Sequence, residues 1–169
     1  FSEMNRLADE IPPGSDGLFF LPLFGGDRCP HYRPDARGAV LGLTFSHRRG
    51  HLVRALMEGL AYHLYSVYRM LTPDTEPDLV VTGGILKSPV WLSIVSDLFG
   101  KVWYLPAAQE ATAWGGVLIG LRAIGELKSL AEVAGYIQTN GMQEPNTINQ
   151  PIYRRLIARY DEIYTQIYG

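Results

Sequence analysis

The segment from Asp78 to Pro106, DLVVTGGILKSPVWLSIVSDLFGKVWYLP, limits what this chain can fold into more than any other stretch does. The run Leu79-Val80-Val81-Thr82 is apolar and β-branched, and it reads as a strand over 78–82. Gly83 and Gly84 close that run. Ser88 is placed to cap a helix, and Pro89 to take its first position, where a missing N–H costs nothing. The helix runs to Phe99 and stops at Gly100, and 101–105 forms a second strand ended by Pro106. Two strands joined by one helix through a short crossover lie parallel, with a right-handed connection. The chain is therefore expected to be α/β.

Other segments are arranged around that unit. Residues 11–17 are rich in turn formers, 18–22 form a short apolar run, 25–34 a loop dense in breakers, and 39–43 a second apolar run. A long helix is predicted over 48–71, with Leu52, Leu56, Leu60, Leu64, Val67 and Leu71 as its core-facing stripe. Gly59 interrupts it at a cost of about 1 kcal/mol against alanine, which points to close packing there. Thr72-Pro73-Asp74 ends the helix. A further helix, 111–124, carries Gly115, Gly116 and Gly120 and is expected to press its backbone on the sheet, with Gly125 closing it. Ser129 and Glu132 form a capping box for a short helix through Ile137. A polar loop, 138–150, leads to a last helix starting at Pro151, with Tyr153, Ile157, Tyr160, Tyr164 and Ile167 as its apolar face. The sheet reads as short, about two to four strands against a usual five or six.

Composition removes several function classes. A length of 169 residues suits one domain with a real core. The formal net charge of −2 gives no electrostatic reason to expect nucleic acid or an anionic membrane as a partner. Cys29 is the single cysteine, so no internal disulfide can form, and a reducing, cytoplasmic setting is expected. No apolar run approaches the ~20 residues of a membrane helix. The first residues have no basic head followed by an apolar stretch, so they do not read as a signal peptide. The chain starts at Phe1 without an initiator Met, which reads as a piece of something longer.

The diglycine turn is the best candidate site. In open α/β sheets ligands bind beyond the carboxyl ends of strands. A helix start just after such a strand offers N–H groups and partial positive charge. The glycines would let a flat ring or a phosphate touch the backbone. Ser88 could hydrogen-bond the ligand, although capping its own helix competes for the hydroxyl, and Lys87 could assist phosphates. The bland alternative is a tight turn and nothing more. Neither the dinucleotide fingerprint nor the P-loop pattern is present, and short glycine motifs are weak signals.

Longer matches add to this. The stretches GLFFLPLFGGDRCP (17–30), PDARGAVLGLT (34–44), HLVRALMEGLAYHL (51–64), VTGGILKSPVWLSIVSDLFG (81–100) and EATAWGGVLIGLRAIGE (110–126), with the tyrosine-rich last helix, run in one order through the chain. In that order they resemble the C-terminal domain of the FGGY carbohydrate kinases. EGLAYHLYSVYRML resembles the gluconate kinases most and the xylulose kinases next.

The resemblance implies a ribonuclease-H-like, actin-like ATPase fold, here the C-terminal half of a sugar kinase with an incomplete sheet. It implies that 1–169 is the nucleotide-side domain. It also implies that the segment Gly83-Gly84-Ile85-Leu86-Lys87-Ser88 is the family's adenosine motif, with Gly83, Gly84, Ile85, Lys87 and Ser88 as nucleotide-binding residues. ATP with Mg2+ would be the cofactors, and a sugar or sugar acid, gluconate first, the acceptor. The catalytic aspartate, the sugar-binding residues and the phosphate hairpin belong to a domain upstream of this region. No catalytic residue and no metal ligand is therefore assigned here, and the chain alone is expected to be inactive. The family's usual Gly-Glu-Arg is Gly26-Asp27-Arg28 in this chain, so no contact of the glutamate is carried over. The competing class is a stand-alone binding or oligomerisation module that kept the fold without the chemistry. An upstream coding sequence with the catalytic aspartate would decide between them. If strands of this domain come from upstream sequence, the isolated chain exposes a sheet edge and is expected to pair with a second copy.

Other polar and aromatic residues carry weaker signals. His47, His51 and Glu58 share a helix face if the helix starts early enough, a conceivable metal set, but no further ligand at metal spacing joins them. Cys29 follows Arg28 but lacks partners for a nucleophile. Asp27, Asp35, Glu58 and Asp97 have no fixed separation that would pair them for acid–base work, which leaves solvated or ion-paired roles. His31 and His63 read as surface or satisfied core residues. Tyr153, Tyr160, Tyr164 and Tyr168 read as packing rather than as a platform for bases, which would also want a basic groove.

Overall fold

The computed structural model describes residues 1–71, 78–107, 111–129, 132 and 138–169. In chain order they form α1 (Ser2–Asp9), a 3₁₀ turn (Ser15–Gly17), β1 (Phe19–Leu21), β2 (Ala39–Leu41), α2 (Arg49–Leu71) and β3 (Leu79–Val80). A second 3₁₀ turn (Gly84–Lys87), α3 (Pro89–Phe99), β4 (Trp103–Pro106), α4 (Ala111–Ala123), β5 (Thr139–Gln143) and α5 (Gln150–Tyr168) follow.

The strand–helix–strand unit forms as its sequence requires. β3 and β4 are parallel, with Leu79 opposite Trp103 and Val80 opposite Tyr104. Ser88 caps α3 by accepting the Trp91 N–H, Pro89 is the first helical residue, and Gly100 ends the helix at φ 64°. Beyond that unit the strands differ from expectation. The described strands number five, in a β1–β2 antiparallel pair and a β3–β4–β5 sheet. β5 lies inside the stretch read as a polar loop and pairs antiparallel with β4, Trp103 opposite Gln143. Its sequence TNGMQ is almost wholly exposed, so it carries no buried alternation. It is a strand because the edge of β4 offers hydrogen-bond partners. The expected helix from Ser129 to Ile137 lies largely outside the described residues, as does the helix end at Thr72-Pro73-Asp74. The opening α1, not foreseen from the sequence, packs against both α2 and α3.

The long helix forms at the expected place but buries another face. Leu52, Leu60, Leu64 and Leu71 of the leucine stripe are exposed. The buried side carries Ala55, Glu58, Gly59, Ala61 and Tyr62. Gly59 shows why. A Cβ placed there would lie 2.1 Å from the Phe20 carbonyl oxygen of β1. Strand and helix approach so closely that leucines cannot stand between them. The leucine period does not mark the buried side of this helix; small residues mark the part of it that β1 covers. The glycines of α4 also behave unexpectedly. A Cβ at Gly115, Gly116 or Gly120 meets no described atom within 4 Å, and Trp114, Val117 and Ile119 are exposed. Close approach through those glycines does not occur among the described residues, since no described element lies against them.

The last helix packs as predicted through Tyr153, Ile157, Tyr160 and Tyr164, with Ile163 buried in place of Ile167. Tyr153 joins a polar network at the centre of the fold. The Glu58 carboxylate accepts from Gly14 N–H at 2.8 Å, Ser15 Oγ at 2.8 Å, Arg54 Nε at 3.0 Å and Tyr153 Oη at 3.1 Å. Arg54 also donates to Tyr153 Oη and to the Ala8 carbonyl. Burial pushes the Glu58 carboxyl up, against the pull of the Gly14 N–H and the Arg54 guanidinium. Burial also raises the Tyr153 hydroxyl, and Glu58 beside it adds to the rise. Removing one partner of a buried ion pair leaves the other uncompensated. Glu58→Ala is expected to lower the free energy of unfolding by about 3–5 kcal/mol in urea titration. A loss below about 1 kcal/mol, the scale of one ordinary hydrogen bond, would show that the network does not hold the elements together.

Candidate functional site

The segment after β3 is built from backbone, and its side chains face two ways. Gly83 sits at φ 85°, ψ −153°, a conformation essentially closed to residues with a Cβ. Gly84 does not have a positive φ, so its small size matters for space rather than for conformation. Leu86 N–H donates to the Gly83 carbonyl and Ser88 N–H to the Ile85 carbonyl, which closes the 3₁₀ turn. A Cβ built on Gly83 or Gly84 meets nothing within 4 Å. Gly83, Gly84 and Lys87 are exposed, and Ile85 is half-buried against the core. The turn thus presents a bare peptide surface beyond the carboxyl end of a strand.

Ser88 faces inward. It is 2% exposed. Its Oγ accepts from Trp91 N–H at 3.3 Å and donates to Asn5 Oδ1 at 2.5 Å. Asn5 Nδ2 in turn donates to the Lys87 carbonyl at 3.1 Å. The serine hydroxyl is therefore committed within the protein. The start of α3 offers few donors: Pro89 has no N–H, Trp91 N–H is taken by Ser88 Oγ, and Leu92 N–H binds the Ser88 carbonyl. The expectation of several free N–H groups at this helix start gives way to an open glycine surface with one helix dipole behind it. Such a surface suits a flat ring better than a bare phosphate, which needs donors.

The remaining histidines and carboxylates take structural places. His51 Nε2 lies 3.0 Å from Asp16 Oδ2, its Nδ1 accepts from Arg48 N–H, and His47 Nδ1 accepts from Thr44 N–H. Glu58 belongs to the central network instead. Asp27, Glu58 and Asp97 are buried and hydrogen-bonded, rather than solvated or only ion-paired. Asp27 accepts from Cys29 N–H at 3.0 Å and Tyr164 Oη at 2.5 Å. Asp97 accepts from Asn146 N–H and Asn149 Nδ2. Asp35 is exposed. The His31 ring lies tilted at 33° against Tyr164, 4.3 Å between ring centroids. His63 lies 3.8 Å from Asp27, and burial lowers its imidazole below the usual histidine range despite that carboxylate. Pro30, His63, Arg69 and Tyr160 help line a cavity of about 550 Å³ that none of the turn residues borders. No helix among the described residues is long and apolar enough to cross a membrane.

Residues 2–124 match the family model described as the C-terminal domain of the FGGY family of carbohydrate kinases. The chain belongs to the FGGY family. Among curated relatives it is 33% identical to a gluconokinase of Bacillus subtilis, over 99% of this chain and 34% of that protein. It is 30% identical to a xylulose kinase of Staphylococcus epidermidis, over 98% of this chain and 34% of that protein. The chain thus spans about a third of the length of the relatives it matches. Among solved structures, a ligand-bound xylulose kinase from Lactobacillus acidophilus superposes with TM-score 0.89 at 28% identity, over 99% of this chain and 35% of that one. A gluconate kinase from the same organism gives 0.87 at 27% identity, over 98% and 34%. The fold is the actin-like ATPase type of the FGGY sugar kinases, and gluconokinases and xylulokinases are among its relatives.

Asn5 is the residue of this site that sequence reading missed. A single asparagine in a short helix, far from the motif in sequence, carries no local signal.

The geometry separates the two glycines. Gly83→Ala is expected to cost about 1–3 kcal/mol through backbone strain. Gly84→Ala is expected to stay within about 0.5 kcal/mol of wild type. Urea unfolding of both variants checks this; equal losses would mean that Gly83 is not held in its special conformation.

Proposed function

We propose that this chain is the nucleotide side of a carbohydrate kinase that transfers the γ-phosphate of ATP to a hydroxyl of a sugar or sugar acid. The observation that carries this reading is the open Gly83-Gly84 surface beyond β3. It occupies the position where open α/β sheets bind ligands. On this reading residues 1–169 are a C-terminal, nucleotide-side domain. The domain with the catalytic base and the sugar-binding residues lies outside the chain. The bare backbone of Gly83 and Gly84 receives the adenosine part of ATP. Ile85 supplies an apolar contact at the turn, Lys87 a nearby cation for the phosphates, and Ser88 holds the turn at the head of α3.

Gluconate is the first acceptor to test, supported by the 33% identity to a gluconokinase, and xylulose is the alternative. Mg2+ would neutralise the phosphates during transfer. Among the described residues no three His, Cys, Asp or Glu side chains converge on one point. The ion would take its ligands from ATP and from the other domain. Phosphoryl transfer depends on positioning and charge neutralisation from both sides of a cleft, so the chain alone is inactive on this reading. The single cysteine and the slight negative charge fit a cytoplasmic protein without nucleic-acid or membrane partners.

The intact protein is expected to phosphorylate gluconate with ATP, and Gly84→Ala to raise KM for ATP about tenfold with KM for the sugar unchanged, since a tenfold change needs only about 1.4 kcal/mol. Equal effects on both KM values, or none, would remove the turn from the nucleotide site. Turnover by the isolated chain would overturn its assignment as half of a cleft.

Self-association of the isolated chain is part of the same proposal. Among the described residues β3 pairs on one side only, and the leucines of α2 stand exposed nearby in sequence. Unpaired edges join other edges. Light scattering of the isolated chain is expected to show dimers or larger species, and a clean monomer at high concentration would contradict it.

A further inference from the structure

Asn5 reaches the candidate nucleotide turn from a part of the chain that no motif includes. It lies in α1, half-buried, and its side chain meets two consecutive residues of the turn. Nδ2 donates to the Lys87 carbonyl at 3.1 Å, and Oδ1 accepts from Ser88 Oγ at 2.5 Å. Ser88 Oγ then accepts from Trp91 N–H, so the chain of bonds runs from α1 through the turn into the first turn of α3.

The chemistry is particular to an amide. Lys87 presents a carbonyl, which only accepts, so its partner must be a donor. Ser88 Oγ already accepts from Trp91 N–H, so its own proton seeks an acceptor. A primary amide supplies one of each on a planar group. Aspartate would place a carboxylate oxygen against the Lys87 carbonyl, two acceptors facing each other. Leucine would leave both groups unpaired, at a cost of about 1–3 kcal/mol for each that cannot reach water.

The turn needs such a clamp. Gly83 is in a conformation chosen against by most residues, and neither glycine has a side chain to pack. Two backbone hydrogen bonds close the turn internally. Its outer face, where the ligand would lie, offers no contacts that hold it. Glycine-rich segments lose more chain entropy on ordering than any others. A binding surface made of backbone must therefore be ordered from behind.

We propose that Asn5 is a positioning residue for the 83–88 turn: its amide bridges the Lys87 carbonyl and Ser88 Oγ and sets the peptide surface that receives adenosine. The proposal rests on the nucleotide reading of the turn, and it adds α1 to the nucleotide site without placing any α1 atom on the ligand. Binding is pre-organised by Asn5, so its loss is read as weaker nucleotide affinity with the sugar side untouched.

The test uses the intact protein with Asn5→Ala, Asn5→Asp and, as control, Ala8→Gly. Ala8 is fully buried in the same helix, and its own side chain makes no bond to the turn. Two readouts are taken: backbone amide resonances of residues 83–88 without ligand, and KM for ATP and for the sugar. Asn5→Ala is expected to move the turn amides and to raise KM for ATP about three- to tenfold at unchanged sugar KM. Asn5→Asp, nearly isosteric, is expected to do likewise because it loses the donor to Lys87. Ala8→Gly is expected to lower thermal stability without either change. Turn amides unmoved in both Asn5 variants would overturn the proposal. So would a KM shift that Ala8→Gly reproduces, which would make α1 docking alone responsible. If wild type neither binds nor uses ATP, the nucleotide reading fails by itself. The ligand-free amides then still decide whether Asn5 sets the turn.

Discussion

The Glu58 carboxylate gathers hydrogen bonds from the turn at Gly14 and Ser15, from Arg54 on its own helix and from Tyr153 on the last helix. Arg54 extends the set to the Ala8 carbonyl at the end of α1. Elements from both ends of the chain and its middle therefore meet at one buried charge. Ser15 and Asp16 have positive φ without being glycine, a conformation that costs of order 1–3 kcal/mol each. The Glu58 bonds to Gly14 and Ser15 hold that turn, which in turn leads the chain into β1. β1 then crosses α2 closely enough to require Gly59. The polar centre and the glycine crossing are thus two parts of one constraint on how α2 is approached.

That constraint extends to the candidate site. α1 ends at the network through Ala8, and its other contacts carry Asn5 to the turn at 83–88. A buried ion pair is weak evidence for stability in itself, because desolvation offsets much of the attraction. Its effect here is geometric. It fixes where α1 lies, and α1 fixes the back of the turn.

Much of this was legible in the sequence. The 78–106 unit, its caps and its parallel pairing follow from local rules: a β-branched run, a serine before a proline, a glycine after a helix. The backbone of the diglycine turn was legible for the same reason, and it stands as a candidate site on backbone conformation and strand–helix order. The last helix showed its tyrosine face by period alone, and Gly59 announced a close crossing. Local rules failed where partners decide. β5 has no pattern of its own and forms because β4 has a free edge. The leucines of α2 keep a perfect period, yet they face away from β1. Asp27 and Asp97 looked like ordinary carboxylates and became buried anchors for loop N–H groups, the Asn149 side-chain amide and the Tyr164 hydroxyl.

The sequence by itself determined that this is an α/β chain with one parallel crossover unit, a glycine turn at the strand end, and the motifs of the FGGY kinases. These depend on backbone conformation and on neighbours a few residues away, which sequence order states directly. Tertiary structure alone decided which side of α2 is buried, that Ser88 turns inward, and that Asn5 stands behind the turn. Each of these depends on contacts between residues tens of positions apart, and one-dimensional periodicity contains no information about which surface a distant segment will cover.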